Sequence, residues 1–240
     1  MISKTEELVT RDGPMGVHVV HPDGDGPFPV VVFFHHGPGL DDGSKQTMQL
    51  ITDQGYYVIS HDRYHRERPW MTRANMTEDE QKRFFDILLG TTDDLVDDDL
   101  AAVLGYVEGD PAARGAPMGC IGFCIGARSV VRTLAWHNDL FKAGVGFHPS
   151  FTVTEDDDSP HLGIPDVEGS IYLGYGSEDT MQAPESQQAL IDMVQARDDG
   201  EVEIHEGANH GYSIPGGAHH QAASDRSYEK AREVFARELG

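Results

Sequence analysis

Cysteine and long apolar runs are both scarce in this sequence. The 240 residues include two cysteines, too few for a disulfide framework, and such low usage is typical of a reducing compartment. No apolar run approaches the ~20 residues that a membrane-spanning helix needs. The first ten residues, MISKTEELVT, lack the apolar segment of a secretion signal. We therefore expect a soluble protein, cytoplasmic by default, with no membrane partner.

Basic residues are also few. Lysine and arginine total 18 against 41 aspartates and glutamates, a formal net charge of −23, and five of the 18 are lysines. A surface this acidic repels nucleic acid and anionic membranes, so neither is an expected partner. The acidic runs at residues 97–99 and 156–158 are expected to face solvent rather than to bind a metal. Adaptation to high salt and an arginine-rich coding bias would each produce this composition.

The order of predicted elements indicates one α/β domain over residues 1–240, long enough to bury a two-sided sheet. Short strands at 7–10 and 16–20, joined by a turn at Gly13, predict an antiparallel hairpin. Residues 29–34 are continuously apolar, which is typical of a strand buried on both faces. Further strands are predicted at 55–60, 142–147, 169–175 and 202–205, and helices at 44–54, 92–107, 125–137, 184–197 and 224–239, with one more helix opening at the capping box Thr77-x-x-Glu80. Strands separated by helices predict a mostly parallel sheet covered on both faces.

The most informative stretch is residues 118–128, a short apolar strand that breaks at Gly122-Phe123-Cys124-Ile125-Gly126 and continues as a helix. This pattern is typical of a nucleophile elbow, in which glycines on both sides let the strand and helix approach closely. Cys124 would then be exposed at the helix N-terminus, where the helix dipole lowers the pKa of a thiol. The Ile125 amide would be placed to stabilise an oxyanion. Cys120 lies inside the apolar strand and is interpreted as structural.

Two further reactive residues follow predicted strands. Asp179 comes after the strand at 169–175, and His210 lies after the last strand, in Gly207-Ala208-Asn209-His210-Gly211-Tyr212. The chain order of nucleophile, acid and histidine is that of the α/β-hydrolase fold, whose active site lies at the carboxyl ends of the strands. We therefore predict a Cys124, Asp179, His210 triad. Gly37, which follows the strand at 29–34, is the candidate for a second oxyanion amide.

With these motifs in place, the chain resembles the dienelactone hydrolase family of cysteine α/β-hydrolases from about Pro29 to the C-terminus. The elbow, Asp179 after a Gly-Ser-Glu turn, His210-Gly211-Tyr212, and the stretch from Gly55 to Tyr64-x-Arg66 carry the resemblance. Phe147-His148 and residues 159–162, SPHL, resemble a bacterial branch of the family. The resemblance implies an eight-stranded sheet, hydrolysis of small esters or lactones through a cysteinyl acyl-enzyme, and no cofactor or metal. It places the oxyanion amides at Gly37 and Ile125 and the substrate pocket at His36, Tyr64, Arg83, His148 and Tyr212.

Two positions depart from the founding member of the family. His36 stands where that enzyme has a glutamate beside the resting thiol, and Ile214 stands where it has a carboxylate-binding arginine. Dienelactone is therefore expected to be a poor substrate. If His36 faces the site, its imidazole should favour the thiolate of Cys124. Two consecutive histidines point to opposite sides of a strand, so at most one of His35 and His36 faces the site.

Two other function classes compete with this interpretation. Thirteen histidines would suit a metallohydrolase, but they are scattered and form no His-Glu-x-x-His motif. A hydrolase fold can also persist as a catalytically weak binding or signalling protein, acting as a monomer or a homodimer. An intact triad favours the enzyme.

Overall fold

The computed structural model describes residues 1–67, 76–216 and 218–240, and at its centre is one eight-stranded sheet. The strands are β1 (Ile2–Thr10), β2 (Gly13–His21), β3 (Phe28–Phe34), β4 (Tyr57–His61), β5 (Ala113–Phe123), β6 (Phe141–Phe147), β7 (Ser170–Gly176) and β8 (Gly200–His205). Their order across the sheet is β1-β2-β4-β3-β5-β6-β7-β8.

The first two strands are antiparallel to their neighbours, and the pairs from β4 through β8 are all parallel. The predicted hairpin and the mostly parallel α/β-hydrolase sheet are therefore confirmed. β5 is central, since Ile121 pairs with Phe33 of β3 on one side and Val145 of β6 on the other. Parallel strands end at the same edge, so the segments that leave β3 through β8 meet there.

Six α-helices surround the sheet. They are α1 (Asp42–Thr52), α2 (Glu78–Gly90), α3 (Asp93–Gly109), α4 (Ile125–Trp136), α5 (Gln188–Gln195) and α6 (Gln221–Leu239). Apolar side chains of α3, α4 and α5 join one buried core cluster, and those of α1 and α6 join a second. Both faces of the sheet are thus covered, which explains the continuous apolar strands β3 and β4.

The second helix has a different place. α2 begins at Thr77, where the predicted capping box is formed with Glu80. Its Ile87 and Leu88 pack with Tyr64 and Ile125 in a small cluster of their own. This helix therefore covers the edge of the sheet where the parallel strands end, rather than a face of the core.

Several predicted boundaries were wrong; β1, for example, begins at Ile2 rather than at residue 7. β5 begins at Ala113 rather than near Met118, because residues 113 and 114 already pair with Phe28 and Pro29 before the register shifts. The helix expected at 184–197 is shorter, because Pro184–Gln187 forms a 3₁₀ turn and α5 follows it. Within the described ranges, no helix combines the length and apolar character needed to cross a membrane.

Candidate active site

The turn between β5 and α4 holds Cys124 in a backbone conformation that side chains rarely adopt. Its φ is +56° and its ψ is −118°, in a region that costs a non-glycine residue roughly 1–3 kcal/mol. Such strain persists only where the surrounding packing enforces it. Here the strain lifts the thiol out of the strand and places it at the first turn of α4.

Two glycines make this turn possible. A Cβ on Gly122 would lie 2.2 Å from the carbonyl oxygen of Gly126, and a Cβ on Gly126 would lie 2.1 Å from that of Phe34. Both distances are far below van der Waals contact, so α4 can pack this close to β5 and β3 only when these positions lack side chains. The glycines that flank Cys124 in the sequence are thus required by the close approach of three backbones.

His210 and Asp179 lie in line with the thiol. The Nδ1 atom of His210 is 2.7 Å from Oδ2 of Asp179. The other carboxylate oxygen of Asp179 accepts the backbone N–H groups of Met181 and Gln182 at 2.9 and 2.8 Å. Asp179 is 3% exposed, so packing and three hydrogen bonds fix its orientation. The opposite ring nitrogen of His210, Nε2, is buried and faces the Cys124 sulfur, which raises the pKa of the ring.

The charges of this group favour a thiolate. Burial opposes the charged form of Cys124, but the hydrogen bond and charge of His210, the Ser150 hydroxyl and the Ile125 amide outweigh it and lower the pKa of the thiol. Burial also disfavours a charged His210, yet Asp179 and the Cys124 sulfur raise the pKa of its imidazole to about 10. Each group therefore stabilises the charged form of the other, and the two titrate as a coupled pair. Cys120, by contrast, is fully buried in the core, and burial alone raises the pKa of its thiol.

The two predicted oxyanion amides lie at the thiol's end of the sheet. The Ile125 N–H hydrogen-bonds the sulfur of Cys124, so it already points toward the reacting atom. Gly37 follows β3, and its carbonyl accepts the Tyr64 hydroxyl at 3.0 Å. Within the described part of the chain, no backbone carbonyl accepts the Gly37 N–H. The Gly37 N–H is therefore available to donate a hydrogen bond to a ligand.

Ser150 is a site residue that sequence reasoning missed. Its hydroxyl lies 3.4 Å from the Cys124 sulfur, and its backbone N–H donates to the Cys124 carbonyl at 3.2 Å. The residue is fully buried. The only signal for Ser150 in the sequence was weak, namely its position three residues after β6. The loop that carries it has positive φ at both His148 and Phe151, and the sequence does not reveal these angles.

Two of the predicted pocket residues lie beside the triad. Tyr64 is buried and packs in one small cluster with Cys124 and Ile125. The His148 ring is 4.9 Å from the His210 ring, and its Nε2 is 3.0 Å from the Ser213 hydroxyl. Burial, followed by the charge of His210, holds the pKa of His148 well below its usual range. His148 is therefore a neutral neighbour of the catalytic histidine.

Two other predicted pocket residues lie away from the thiol. Tyr212 is fully buried, and its hydroxyl pairs with Ser227 at 2.8 Å, so it packs beneath His148 instead of lining a cavity. Arg83 is exposed on α2. The sequence placed it near the site, but the inner face of α2 is formed by Phe84, Ile87 and Leu88.

The two consecutive histidines do point to different sides. His35 is buried, with Nδ1 at 2.7 Å from the His36 carbonyl and Nε2 accepting the Arg63 N–H at 3.3 Å. His36 is partly exposed, and its Nε2 lies 3.1 Å from Oδ2 of Asp41. The imidazole of His36 thus has a carboxylate partner, and the hydrogen bonds to the Cys124 sulfur come from elsewhere.

A cleft of about 430 Å³ opens next to the thiol. Ile125 and Phe151 line it, and both belong to the small cluster in which Cys124 packs. Its charged lining consists of Asp93, Asp94, Asp156, Asp158 and Arg128. Arg128 is already bound to both carboxylate oxygens of Asp93 at 2.8 Å, so the remaining carboxylates make the cleft anionic.

Potential metal ligands are not clustered in the described part of the chain. There, no three histidine, cysteine, aspartate or glutamate side chains are grouped so that they could hold a metal ion.

Comparison with known proteins gives a consistent result. The model of the family described as "Dienelactone hydrolase family" matches residues 15–239. A protein of Synechocystis sp. provisionally named carboxymethylenebutenolidase is 22% identical over 231 residues, covering 92% of this chain and 91% of that protein. One of Methylorubrum extorquens with the same provisional name is 26% identical over 148 residues, covering 62% of this chain. The match spans about half of that relative, 49% of its length.

Solved structures show the same fold. A crystal structure from Klebsiella pneumoniae, provisionally described as a dienelactone hydrolase, superposes with a TM-score of 0.85 at 19% identity, covering 98% of both chains. At this identity the likeness shows the fold alone.

The ionisation of Cys124 can be tested by following its alkylation with iodoacetamide as a function of pH. We expect an apparent pKa below the ~8.5 of an unperturbed thiol, because His210, Ser150 and the Ile125 amide outweigh burial. His210→Gln removes the main group that stabilises the thiolate, and it should raise the apparent pKa of Cys124 by about one unit or more. The reactive thiolate would then appear only at higher pH.

His36→Gln is the matched control for this experiment. Because His36 is hydrogen-bonded to Asp41, we expect this substitution to shift the value much less than His210→Gln does. A wild-type value of 8.5 or above, or equal values in wild type and His210→Gln, would contradict the assignment of His210 as the partner of the thiol.

Proposed function

Because the chain belongs to the dienelactone hydrolase family, we propose that it hydrolyses small carboxylic esters or lactones through an acyl-enzyme on Cys124. The observation that carries this proposal is the thiol held at φ +56° beside a histidine whose far nitrogen is 2.7 Å from a buried carboxylate. A strained, half-buried thiolate has no evident role in folding. It is the arrangement that nucleophilic catalysis needs.

In the first half-reaction, the Cys124 sulfur attacks the ester carbonyl carbon and a C–S bond forms. The negative charge moves to the carbonyl oxygen, where the N–H groups of Ile125 and Gly37 would donate to it. His210 then gives its Nε2 proton to the departing oxygen as the C–O bond breaks, and an alcohol leaves. Asp179 holds the imidazole orientation and balances its charge throughout.

In the second half-reaction, water takes the place of the alcohol. His210, now neutral, accepts a proton from the water while its oxygen attacks the thioester carbon. The C–S bond breaks, the carboxylic acid departs, and the sulfur regains its negative charge beside the imidazolium. With a lactone, the alcohol and acid are two ends of one hydroxy acid product.

The lining of the cleft bears on the substrate class. Among the described residues, Asp94 and Asp156 contribute carboxylates that pair with no arginine, and the Asp158 carboxylate lies 3.7 Å from Arg132. Arg83 is exposed on α2, and Ile214 is buried. A carboxylate on the substrate would meet like charges there. We therefore propose neutral or cationic esters as substrates, in preference to anionic lactones such as dienelactone.

The nucleophile can be tested with a panel of aryl esters and small lactones. Cys124→Ala should lower kcat/KM by roughly 10³-fold or more, because the covalent route is lost. Cys120→Ala is the matched control, since Cys120 is buried in the core with no polar partner. It should lower thermal stability by more than it lowers turnover. Equal activity of Cys124→Ala and wild type would refute the mechanism and favour a binding role for the fold.

Charge selectivity can be tested with two p-nitrophenyl esters that differ only in the acyl end, one carrying a free carboxylate and the other its methyl ester. We expect kcat/KM for the anionic ester to be lower by about tenfold or more, because its carboxylate lacks a charged hydrogen-bond donor in the cleft and is repelled by the carboxylates of the cleft. Dienelactone should be similarly poor.

The control for this prediction is the double substitution Asp94→Asn and Asp156→Asn, which keeps side-chain size and removes two charges from the cleft. It should narrow the difference between the two esters while leaving hydrolysis of the methyl ester nearly unchanged. A preference for the anionic ester in wild type would show that the carboxylates do not set the selectivity.

A further inference from the structure

Arg63 is a buried cation that the proposed mechanism does not use. It follows β4 and is 5% exposed. Its Nη2 donates to the Thr91 carbonyl at a long 3.4 Å, and its Nε has no hydrogen-bond partner among the described residues. The carboxylate whose charge reaches it, that of Asp93, is already bound by Arg128 and Arg132. The guanidinium is thus incompletely paired.

A buried charge of this kind is costly unless an opposite charge compensates it. If this position served packing alone, an apolar side chain would be more favourable there than an arginine. The incomplete pairing therefore raises the question of which negative charge the guanidinium faces.

Tyr64 is the residue that connects Arg63 with the Cys124 thiol. The guanidinium carbon lies 5.8 Å from the centre of the Tyr64 ring. The same ring packs with Cys124 and Ile125, and its hydroxyl is bound to the Gly37 carbonyl. Arg63 and Cys124 are therefore both neighbours of Tyr64. A cation separated from an anion by one aromatic ring in a buried region is only weakly screened.

The other titratable side chains near Arg63 are Asp62, whose Oδ1 accepts the Tyr64 backbone N–H at 3.0 Å, two histidines and a second arginine. His35 and His61 are buried, and burial holds the pKa of His35 well below its usual range and lowers that of His61 to about 4. Both are neutral at pH 7. Arg128 is a second cation, bound to Asp93.

Around Cys124, the described ionisable groups are His210, Tyr64 and Arg63 itself, with Asp179 behind His210. Burial keeps the Tyr64 hydroxyl protonated by raising its pKa. Asp93 is bound by Arg128 and Arg132, and Asp62 accepts the Tyr64 backbone N–H. The charge of the Cys124 sulfur also reaches Arg63, and among the described residues the sulfur has no permanent cation bonded to it.

We propose that Arg63 is a positioning residue whose buried guanidinium stabilises negative charge at the active site, first on the Cys124 sulfur and then on the oxyanion that it forms. It acts across the Tyr64 ring, without touching the substrate. The inference rests on the proposed role of Cys124 as nucleophile. It adds a permanent cation to the site, whereas His210 is a cation only until it gives up its proton.

The test is the pH dependence of Cys124 alkylation by iodoacetamide in Arg63→Gln and Arg63→Met. Both remove the charge, and Arg63→Met replaces an incompletely paired group by an apolar chain, a change that folds tolerate well. We expect the apparent pKa of the thiol to rise by about one unit in each, which corresponds to a tenfold loss of thiolate below the pKa. Arg63→Lys, which keeps a cation, should restore at least half of that shift.

Arg197→Gln is the matched control. Arg197 also bonds backbone carbonyls, those of Ile164 and Gly169, but it lies at the opposite end of β7. Its loss should lower thermal stability and leave the thiol pKa within about 0.2 units of wild type. An unchanged thiol pKa in a folded Arg63→Gln or Arg63→Met protein would overturn the proposal, as would a shift of equal size in Arg197→Gln.

Alkylation is read on the thiol itself, so this test is separate from turnover. If Cys124→Ala keeps full activity, the proposed function fails whatever Arg63 does. If Cys124 is essential and the charge-removing variants alkylate like wild type, only the role of Arg63 fails.

Discussion

The active site depends on the close contact of three backbones at the turn between β5 and α4. Gly122 and Gly126 have no room for a Cβ against α4 and β3, and this contact holds Cys124 at positive φ. The strain at Cys124 is therefore maintained by the packing of the central strands. Any change that separates α4 from β3 would relax the turn and withdraw the thiol from His210.

The charged groups around the Cys124 thiol stabilise one another. Burial by itself would keep Cys124 protonated and His210 neutral. Each group instead stabilises the charged form of the other, and Asp179 supports the imidazolium from a position that three hydrogen bonds define. Outside this group, the cleft is anionic. Positive charge is thus concentrated around the Cys124 thiol and negative charge in the adjoining cleft, and we propose that this arrangement favours neutral or cationic esters.

Sequence reasoning succeeded where local pattern and sheet topology determine position. Cys124, Asp179 and His210 each follow a strand, and parallel strands end at one edge, so the structure brings these residues together. The glycine spacing at the elbow was a second local signal. The mostly parallel sheet followed from the alternation of strands and helices, the antiparallel hairpin from two consecutive short strands, and the count of eight strands from the family resemblance.

The remaining site residues depend on contacts that the sequence does not encode locally. Ser150 reaches the sulfur through a loop with two residues at positive φ. Arg63 is buried beside the Tyr64 ring and the Thr91 carbonyl. Arg83 was expected in the pocket, but the packing of Phe84, Ile87 and Leu88 leaves it exposed. Position along the chain predicts Cys124, Asp179 and His210. The packing of the loops and of α2, in contrast, determines which residues line the pocket.

The central claim is that an acyl group is carried on the Cys124 sulfur. The most direct measurement is mass spectrometry of the protein quenched in acid during turnover of a slow aryl ester, followed by mapping of the modified peptide. The account predicts one acyl group per chain, located on Cys124, which disappears on treatment with hydroxylamine and is absent in Cys124→Ala. An acyl group located on Ser150, or turnover with no covalent intermediate that persists in Cys124→Ala, would contradict it.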